Sequence, residues 1–204
     1  MSRLFALTYD RSMARMEKAG FRELRERTAG QATGDVLEIG GGTGSNLGYY
    51  GAAVTSLTVT EPEQPMLKRL EKKVHEQGSP AKVVPAAAEE LPFADDSFDT
   101  VVSTLVLCGV DDQARSLQEI GRVLRPGGRL FLVEHVRSDD PKLAKKQDRL
   151  NRLNRFMVGC ECNRATLDAI RNAGFDVESL EQTTLNKVPK FTSPAIVGAA
   201  AAAS

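Results

Sequence analysis

The sequence predicts a single α/β domain with a mostly parallel, seven-stranded sheet, helices on both faces, and an amphipathic helix ahead of the first strand. Three observations carry that prediction. Short apolar runs alternate with helix-like segments from residue 35 to residue 136, the pattern of a parallel sheet covered on both sides. Gly and Pro punctuate the chain without forming tracts. At 204 residues the chain is long enough for one substantial core and short for two.

Residues 11–28 place Met13, Met16, Ala19, Phe21 and Leu24 near helical spacing among charges. Strand-like runs follow at DVLEIG (35–40), SLTVTE (56–61), AKVVPA (81–86), FDTVVST (98–104) and RLFLVEHV (129–136). Between them, EQPMLKRLEKKVHEQG and DDQARSLQEIGRVLRPGG read as helices. After residue 136 the rhythm changes to a long helix over 140–157 and then to NRATLDAIRNAGF, where Asn163 would cap a helix and Gly174 would end it. Two further strand candidates, DVESLEQTTL and AIVGAA, complete the sheet, and the terminal AAAAAS reads as a frayed end.

Lys plus Arg equal Asp plus Glu at 27 each, so no overall field favours nucleic acid or an anionic membrane. Such a partner would need a local patch, and no nucleic-acid partner is expected. The N-terminus has only a four-residue apolar run, and no apolar span of 18 residues occurs. A soluble, cytoplasmic protein is expected. Cys108, Cys160 and Cys162 give an odd count, and Cys160-x-Cys162 has no second cluster to complete a zinc site. Reduced thiols and no metal are expected.

The stretch VLEIGGGTGSN, residues 36–46, leaves a strand, passes an acid and places four glycines within five residues. In doubly wound sheets, ligands bind at such a corner, where glycines admit close approach and a helix N-terminus welcomes an anion. The dinucleotide fingerprint is not met, because the third glycine position counted from Gly40 and Gly42 holds Ser45. The pattern is instead Gly40, Gly42 and Gly44, with Glu38 two residues ahead. A carboxylate there repels a pyrophosphate and favours an ammonium group, while amides of the following helix suit a carboxylate. Glu61, 21 positions after Gly40, stands near the distance at which an acid reaches ribose hydroxyls. The plain alternatives are a tight turn without a ligand and an acid that caps a helix.

These segments together resemble the class I S-adenosylmethionine-dependent methyltransferases, whose domain is Rossmann-like. LEIGGGTG is similar to their first motif and EPEQPML to the segment with the ribose-binding acid. AAAEELPFADDSFDTVVSTLVL is similar to their adenine loop and fourth strand, and EIGRVLRPGGRLFLVEH to the helix, turn and strand that come next. The resemblance implies S-adenosyl-L-methionine as cofactor and one domain over 1–204, with an N-terminal lid over 1–30 and substrate-side helices over 140–172. It implies that Gly40, Gly42 and Gly44 line the methionine end with Glu38, and that Glu61 holds the ribose. Pro62 and Met66 would pack near adenine, Ala88 and Glu89 would stand at its polar edge, and Thr104 and Leu105 would follow at the end of the fourth strand. Tyr9 in LTYD resembles a lid tyrosine of quinone-pathway relatives. Relatives often carry an aspartate where this chain has Ala87, which leaves adenine to backbone groups or Glu89.

Over roughly residues 100 to 175, VVSTLVLCGVDDQ, RVLRPGG, FLVEHV and GCECNRATLDAIRNAGF resemble the alkyl-thiol S-methyltransferases and their bacterial relatives. Some of those are membrane-anchored, and no anchor is expected here. The resemblance implies methyl transfer to a small molecule, a thiol being the leading nucleophile. The alternatives are a phospholipid or quinone-type N-, O- or C-methyltransferase, or a non-catalytic regulatory domain that binds the cofactor. His135, ending the fifth strand, would take the thiol proton or orient the substrate; otherwise it is a strand-end histidine satisfied by Glu134 or backbone. The three cysteines read first as small buried hydrophobes. In the helix over 142–157, Leu143, Leu150, Leu153 and Met157 recur on one face, and six cations crowd the rest against Asp148 alone. That helix either touches an anionic membrane surface weakly or packs its leucines on the domain with a solvated outer face.

Overall fold

The structure is a computed structural model that describes residues 3–202, with side chains from Asp10 to Ala202. Five parallel strands form its centre: β1 (Gly34–Ile39), β2 (Val54–Thr60), β3 (Lys82–Val84), β4 (Phe98–Thr104) and β5 (Leu124–His135). The strands β6 (Asp176–Val177), β7 (Glu181–Thr184) and β8 (Pro194–Ala201) add an antiparallel edge. The order is β3-β2-β1-β4-β5-β8-β6, with β7 also paired to β8. From β1 the chain winds outward to β3 and then crosses to β4 on the other side. A crevice therefore opens between the carboxyl ends of β1 and β4, where open α/β sheets bind ligands.

Alternation along the strands decides which helix covers which face. Val36 of β1 joins Leu57 and Val59 of β2 and Leu70 of α3 (Gln64–Glu76) on one face. Leu37 and Ile39 point the other way, to Leu117 and Ile120 of α4 (Gln113–Val123) and Ile170 of α6 (Thr166–Asn172). The amphipathic segment ahead of β1 is not one helix. It comprises α1 (Arg3–Met16), a π-helical turn over Glu17–Phe21, and α2 (Arg22–Glu26), with the break at Gly20, φ 112°. Met13, Met16 and Phe21 still reach the sheet, packing on Val133 and Val197.

Among the described residues the sheet has eight strands where seven are expected, because DVESLEQTTL is interrupted. The N–H groups of Glu178 and Ser179 both donate to the Ala199 carbonyl at 3.2 Å. Two residues oppose one at that bulge, and the edge strand splits into β6 and β7. The alanine tail is not frayed through Ala201: Ala199 and Ala200 are buried within β8, while residues 203 and 204 lie outside the described residues. Asn163 does not cap α6; its side chain donates to Asp148 at 3.0 Å, and the helix begins at Thr166.

Helix α5 (Pro141–Val158) starts at Asp140, whose carboxylate accepts the Lys142 N–H, and ends at Gly159 in the left-handed conformation, φ 77°. Gln147 fastens it, donating to the carbonyls of Val136 and Cys162 and accepting the Ser138 N–H. Beyond Gln147 no residue of the helix is fully buried. The expected leucine face is split: Leu143 and Leu150 are half-buried, whereas Leu153 and Met157 are 56% and 62% exposed.

At the bulge, Gly198 has φ 141°, and a Cβ there would stand 1.8 Å from the Ser179 carbonyl oxygen. Gly198→Ala is therefore expected to destabilise the fold by about 3 kcal/mol, from strain plus a displaced edge strand. Chemical denaturation measures it, and an unchanged midpoint and slope would remove the assigned role.

Candidate functional site

Beyond Ile39 the chain turns through Gly40 (φ 57°), Gly42 (φ 59°) and Gly44 (φ 77°), all in the left-handed region that side chains avoid. The corner is also tight, since a Cβ on Gly40 would meet Val106 at 2.7 Å and one on Gly41 would meet Val59 at 2.2 Å. The helix expected after it is replaced by successive turns. Gly44 N–H donates to Gly41 O at 2.8 Å, and Tyr49 N–H to Asn46 O at 2.9 Å, both closing on the third residue. Gly48 and Gly51 weaken any helix there. Anion-binding amides at this corner thus belong to turns.

Glu38 lies directly beneath the corner and is 3% exposed. One carboxylate oxygen accepts from Asn46 Nδ2 at 2.9 Å and the other from Tyr50 Oη at 2.8 Å. Asn46 also donates to Thr104 Oγ1 at 3.1 Å, at the end of β4, and its amide oxygen accepts from Arg25. Buried Arg25 is held in turn by Glu17 at 2.5 Å and stacks on Phe21, 4.7 Å from the ring centroid. A continuous polar network thus joins the N-terminal helices, β1, the turns and β4. An ammonium group at Glu38 would share oxygens that already have protein partners. Burial raises the Glu38 pKa from its ordinary 4.5 to about 7, against the opposing bonds from Tyr50 and Asn46 and the charge of Arg25.

Glu61, at the end of β2, is 5% exposed. Its oxygens accept the N–H groups of Gly42 at 2.8 Å and Glu63 at 2.9 Å, so the carboxylate is pinned against the glycine corner. Burial raises its pKa, and those two bonds oppose the shift. Met66, in the first turn of α3, is buried, and Pro62 is exposed. Ala88 is buried in the core beside the fourth strand. Glu89 accepts the N–H groups of Asp111 and Asp112 at 2.8 and 3.3 Å, which ties the expected adenine loop to the start of α4. Glu119 and Arg122 of α4 brace the same loop: Glu119 accepts the Leu91 N–H, while Arg122 donates to the carbonyls of Leu91 and Phe93. The Arg122 guanidinium holds the Glu119 carboxyl down to about 2.

The ends of β4 and β5 form the other wall. Leu105, immediately after Thr104, has φ 59°, a strained conformation for a leucine, of the sort found at binding sites. Glu134 holds the loop beyond it. This fully buried carboxylate accepts from Ser103 Oγ and from the N–H groups of Val106, Leu107 and Cys108, at 2.7 to 3.1 Å. Glu134 therefore does not serve His135, whose side chain faces the opposite side of the sheet. His135 is 8% exposed, and burial pulls its pKa from 6.5 to about 4 against backbone groups of Thr192 and Pro194. Its Nδ1 is buried and has no hydrogen-bond partner among the described residues. A neutral imidazole with that pKa is a poor proton acceptor for a thiol.

The cysteines are free. The neighbouring Cys160 thiol, followed by burial, holds the Cys108 thiol well above its usual range, and burial pushes Cys162 up to about 11. Both remain protonated and poorly nucleophilic near neutral pH. Among the described residues no group of three or more His, Cys, Asp or Glu is arranged to hold a metal ion. Tyr9 falls in α1, and its side chain lies outside the described ones. Its neighbour Asp10 accepts from Thr43 Oγ1 at 2.8 Å and pairs with Arg69 at 3.1 Å, which brings α1 over the corner. A cavity of about 620 Å³ lies between α1, the turns and α3 and is lined by Asp10, Thr43 and Arg69. It adjoins the corner without including Gly40 or Glu61.

Sequence reading gave no site role to Asn46, Tyr50, Arg25 or Asp10, and it offered Glu134 only as a partner for His135. One signal was present: a charged residue inside the apolar run LFLVEHV must be satisfied if the strand is buried.

The family described as a methyltransferase domain matches residues 37–132. Human thiol S-methyltransferase TMT1A is 37% identical over 139 residues, covering 66% of this chain and 56% of its own. Mouse thiol S-methyltransferase TMT1B is 32% identical over 186 residues, covering 89% and 75%. The chain spans about half the length of the human TMT1A and TMT1B relatives it matches, 56% and 53%. A SAM-dependent methyltransferase from Thermotoga maritima superposes with a TM-score of 0.71 at 22% identity, over 98% of this chain and 96% of that one.

The Glu38 network gives a pH signature. Because its folded pKa of about 7 exceeds the ordinary 4.5, Glu38 contributes stability that is complete below pH 4.5 and is lost as pH rises through 7. Glu38→Gln keeps the shape and removes the charge. Its stability relative to the native protein is expected to rise by up to about 3 kcal/mol between those limits. Urea denaturation at pH 5 and pH 8 checks this, and a difference that does not change with pH would contradict it.

Proposed function

The chain belongs to the S-adenosylmethionine-dependent methyltransferases, and we propose from that premise that it transfers a methyl group to a small-molecule thiol. The observation that carries the cofactor assignment is the Glu61 carboxylate, pinned 2.8 Å from the Gly42 amide at the crevice between β1 and β4. A carboxylate held there by two backbone donors keeps acceptor capacity for a ribose diol, and the neighbouring glycine turns present bare backbone to the methionine end. Glu38 fixes those turns from below. Pro62 and Met66 border the adenine side, and Ala88 and Glu89 border its polar edge. Thr104 and Leu105 close the far wall, and Tyr9 is assigned to the lid.

Bound S-adenosylmethionine supplies a methyl already activated on a sulfonium, whose transfer to a thiolate yields a thioether and S-adenosylhomocysteine. The protein's work is then alignment and exclusion of water. His135 is assigned to orientation: its buried Nδ1, without a partner among the described residues, offers a hydrogen-bonding position, and its low pKa leaves proton loss to the substrate itself. Thiols are favoured because the mouse and rat relatives matched over 89% of this chain are thiol S-methyltransferases by name. The reading extends to a cytoplasmic protein with free thiols and no nucleic-acid partner, and to weak membrane-surface contact through residues 142–157.

The assay is methyl transfer from labelled cofactor to a panel of thiols, amines, phenols and phospholipids. Turnover confined to thiols is expected. Turnover only with phospholipids or quinols would replace the substrate assignment, and cofactor binding without turnover would make the chain a regulatory module. Glu61→Ala is expected to weaken S-adenosylmethionine binding roughly ten- to a hundredfold, about 1.5 to 3 kcal/mol. Calorimetry on the folded variant measures this, and an unchanged Kd would overturn the ribose role. His135→Gln should lower kcat by about tenfold or more while leaving cofactor affinity intact. The rates of mutant and native enzyme should rise in parallel with pH through the thiol's own pKa, and a loss that shrinks as pH rises would restore His135 as the base.

A further inference from the structure

The last turn and a half of α5 exposes a compact apolar surface: Leu153 is 56% exposed, Phe156 89%, Met157 62% and Val158 38%. Residues 153, 156 and 157 stand three and four apart and share one side of the helix. These four are the large hydrophobic residues left exposed among the described residues. The same helix continues back through Arg152, Arg149, Lys146, Lys145 and Lys142, all exposed and none in an ion pair among the described residues. Asp148, the helix's one acid, is already held by Arg137 at 2.5 Å. An apolar tip beside five uncompensated cations matches the two-part surface of a bilayer, with acyl chains at one level and anionic headgroups above them. A second copy of the chain fits poorly, because pairing this face with itself would set ten cations together.

The patch lies beside the substrate wall of the site. Arg155 pairs with Asp111 at 2.5 Å, and the Glu161 N–H donates to the Cys108 carbonyl at 2.7 Å. A Cβ on Gly109 would stand 3.1 Å from the Gly159 carbonyl oxygen. The end of α5 is thus stitched to the loop that Glu134 organises beyond β4, at the carboxyl edge of the sheet. We propose that Leu153, Phe156, Met157 and Val158 insert into an anionic lipid surface, with Lys145, Lys146, Arg149 and Arg152 against the headgroups. The mouth of the site then faces the bilayer, and the nucleophile arrives as an amphiphilic thiol dissolved in the membrane. The substrate half of this proposal rests on the thiol-methyltransferase reading; the docking half does not.

The test is flotation of the full chain with phosphatidylcholine vesicles, with and without phosphatidylglycerol, for native protein, Phe156→Ser with Met157→Ser, and Lys145→Glu with Arg149→Glu and Arg152→Glu. Native protein should float with the anionic vesicles only. The charge-reversed variant should bind at least about tenfold more weakly, and binding should fall as salt is raised. Both variants should keep native cofactor affinity, since neither set touches the glycine corner. Native protein that stays in solution, or variants that float as well as it does, would overturn the docking. So would a concentration-dependent dimer abolished by Phe156→Ser, which would assign the patch to a second copy. Adding anionic vesicles should raise kcat/KM at least about tenfold for a long-chain thiol and leave a water-soluble thiol unchanged. Vesicle binding without that difference would overturn the substrate delivery alone, and lack of turnover with either thiol would instead reject the thiol reading.

Discussion

Burial of the Glu38 carboxylate at the end of β1 is the constraint on which the rest of the site depends. A charged group removed from water must be given partners, and an unpaired one costs several kcal/mol. Tyr50 and Asn46 supply those partners, so the segment after the glycines must fold back over β1 instead of running away as a helix. Asn46 then binds Thr104 and Arg25, and Arg25 binds Glu17. One carboxylate thereby sets the positions of the glycine turns, the end of β4 and the N-terminal cover. Its pKa of about 7 shows that the partners do not fully offset burial, since desolvation is the largest influence on it.

Glu134 repeats the device on the next strand but one. Its two oxygens gather a serine hydroxyl and three successive backbone N–H groups, which shapes the loop between β4 and α4. The two loops meet where Val106 packs over Gly40. Glu61 bridges from β2 to the same corner through Gly42. Three acids at strand ends therefore build the crevice, and the glycines are required because the backbone must thread among them. A methyltransferase reading is consistent with this division of labour. Rigid acids position the loops, while the reacting group is brought by the cofactor.

The parallel core was legible because strand and helix periods alternate cleanly from residue 35 to residue 136, and Gly40, Glu61 and Thr104 fall at the ends of β1, β2 and β4. What could not be read depends on contacts distant in sequence. The split of DVESLEQTTL arises from Ala199 accepting two N–H groups, and no local propensity in that segment signals it. The role of Asn46 needs Glu38, Arg25 and Thr104 together. His135 was correctly placed at a strand end, but its weak basicity comes from burial under residues 192–194, supplied by a loop nearly sixty residues later. Periodicity put Leu153 and Met157 with Leu143 and Leu150, but only the inner pair is half-buried and the outer pair is exposed.

The most direct measurement of the central claim is calorimetric titration of the whole chain with S-adenosylhomocysteine, with NAD as the comparison. A corner built from left-handed glycines, with Glu61 pinned at Gly42 and a buried acid beneath it, should take one S-adenosylhomocysteine per chain and leave NAD unbound. Saturable binding of NAD with no heat from S-adenosylhomocysteine would contradict the account.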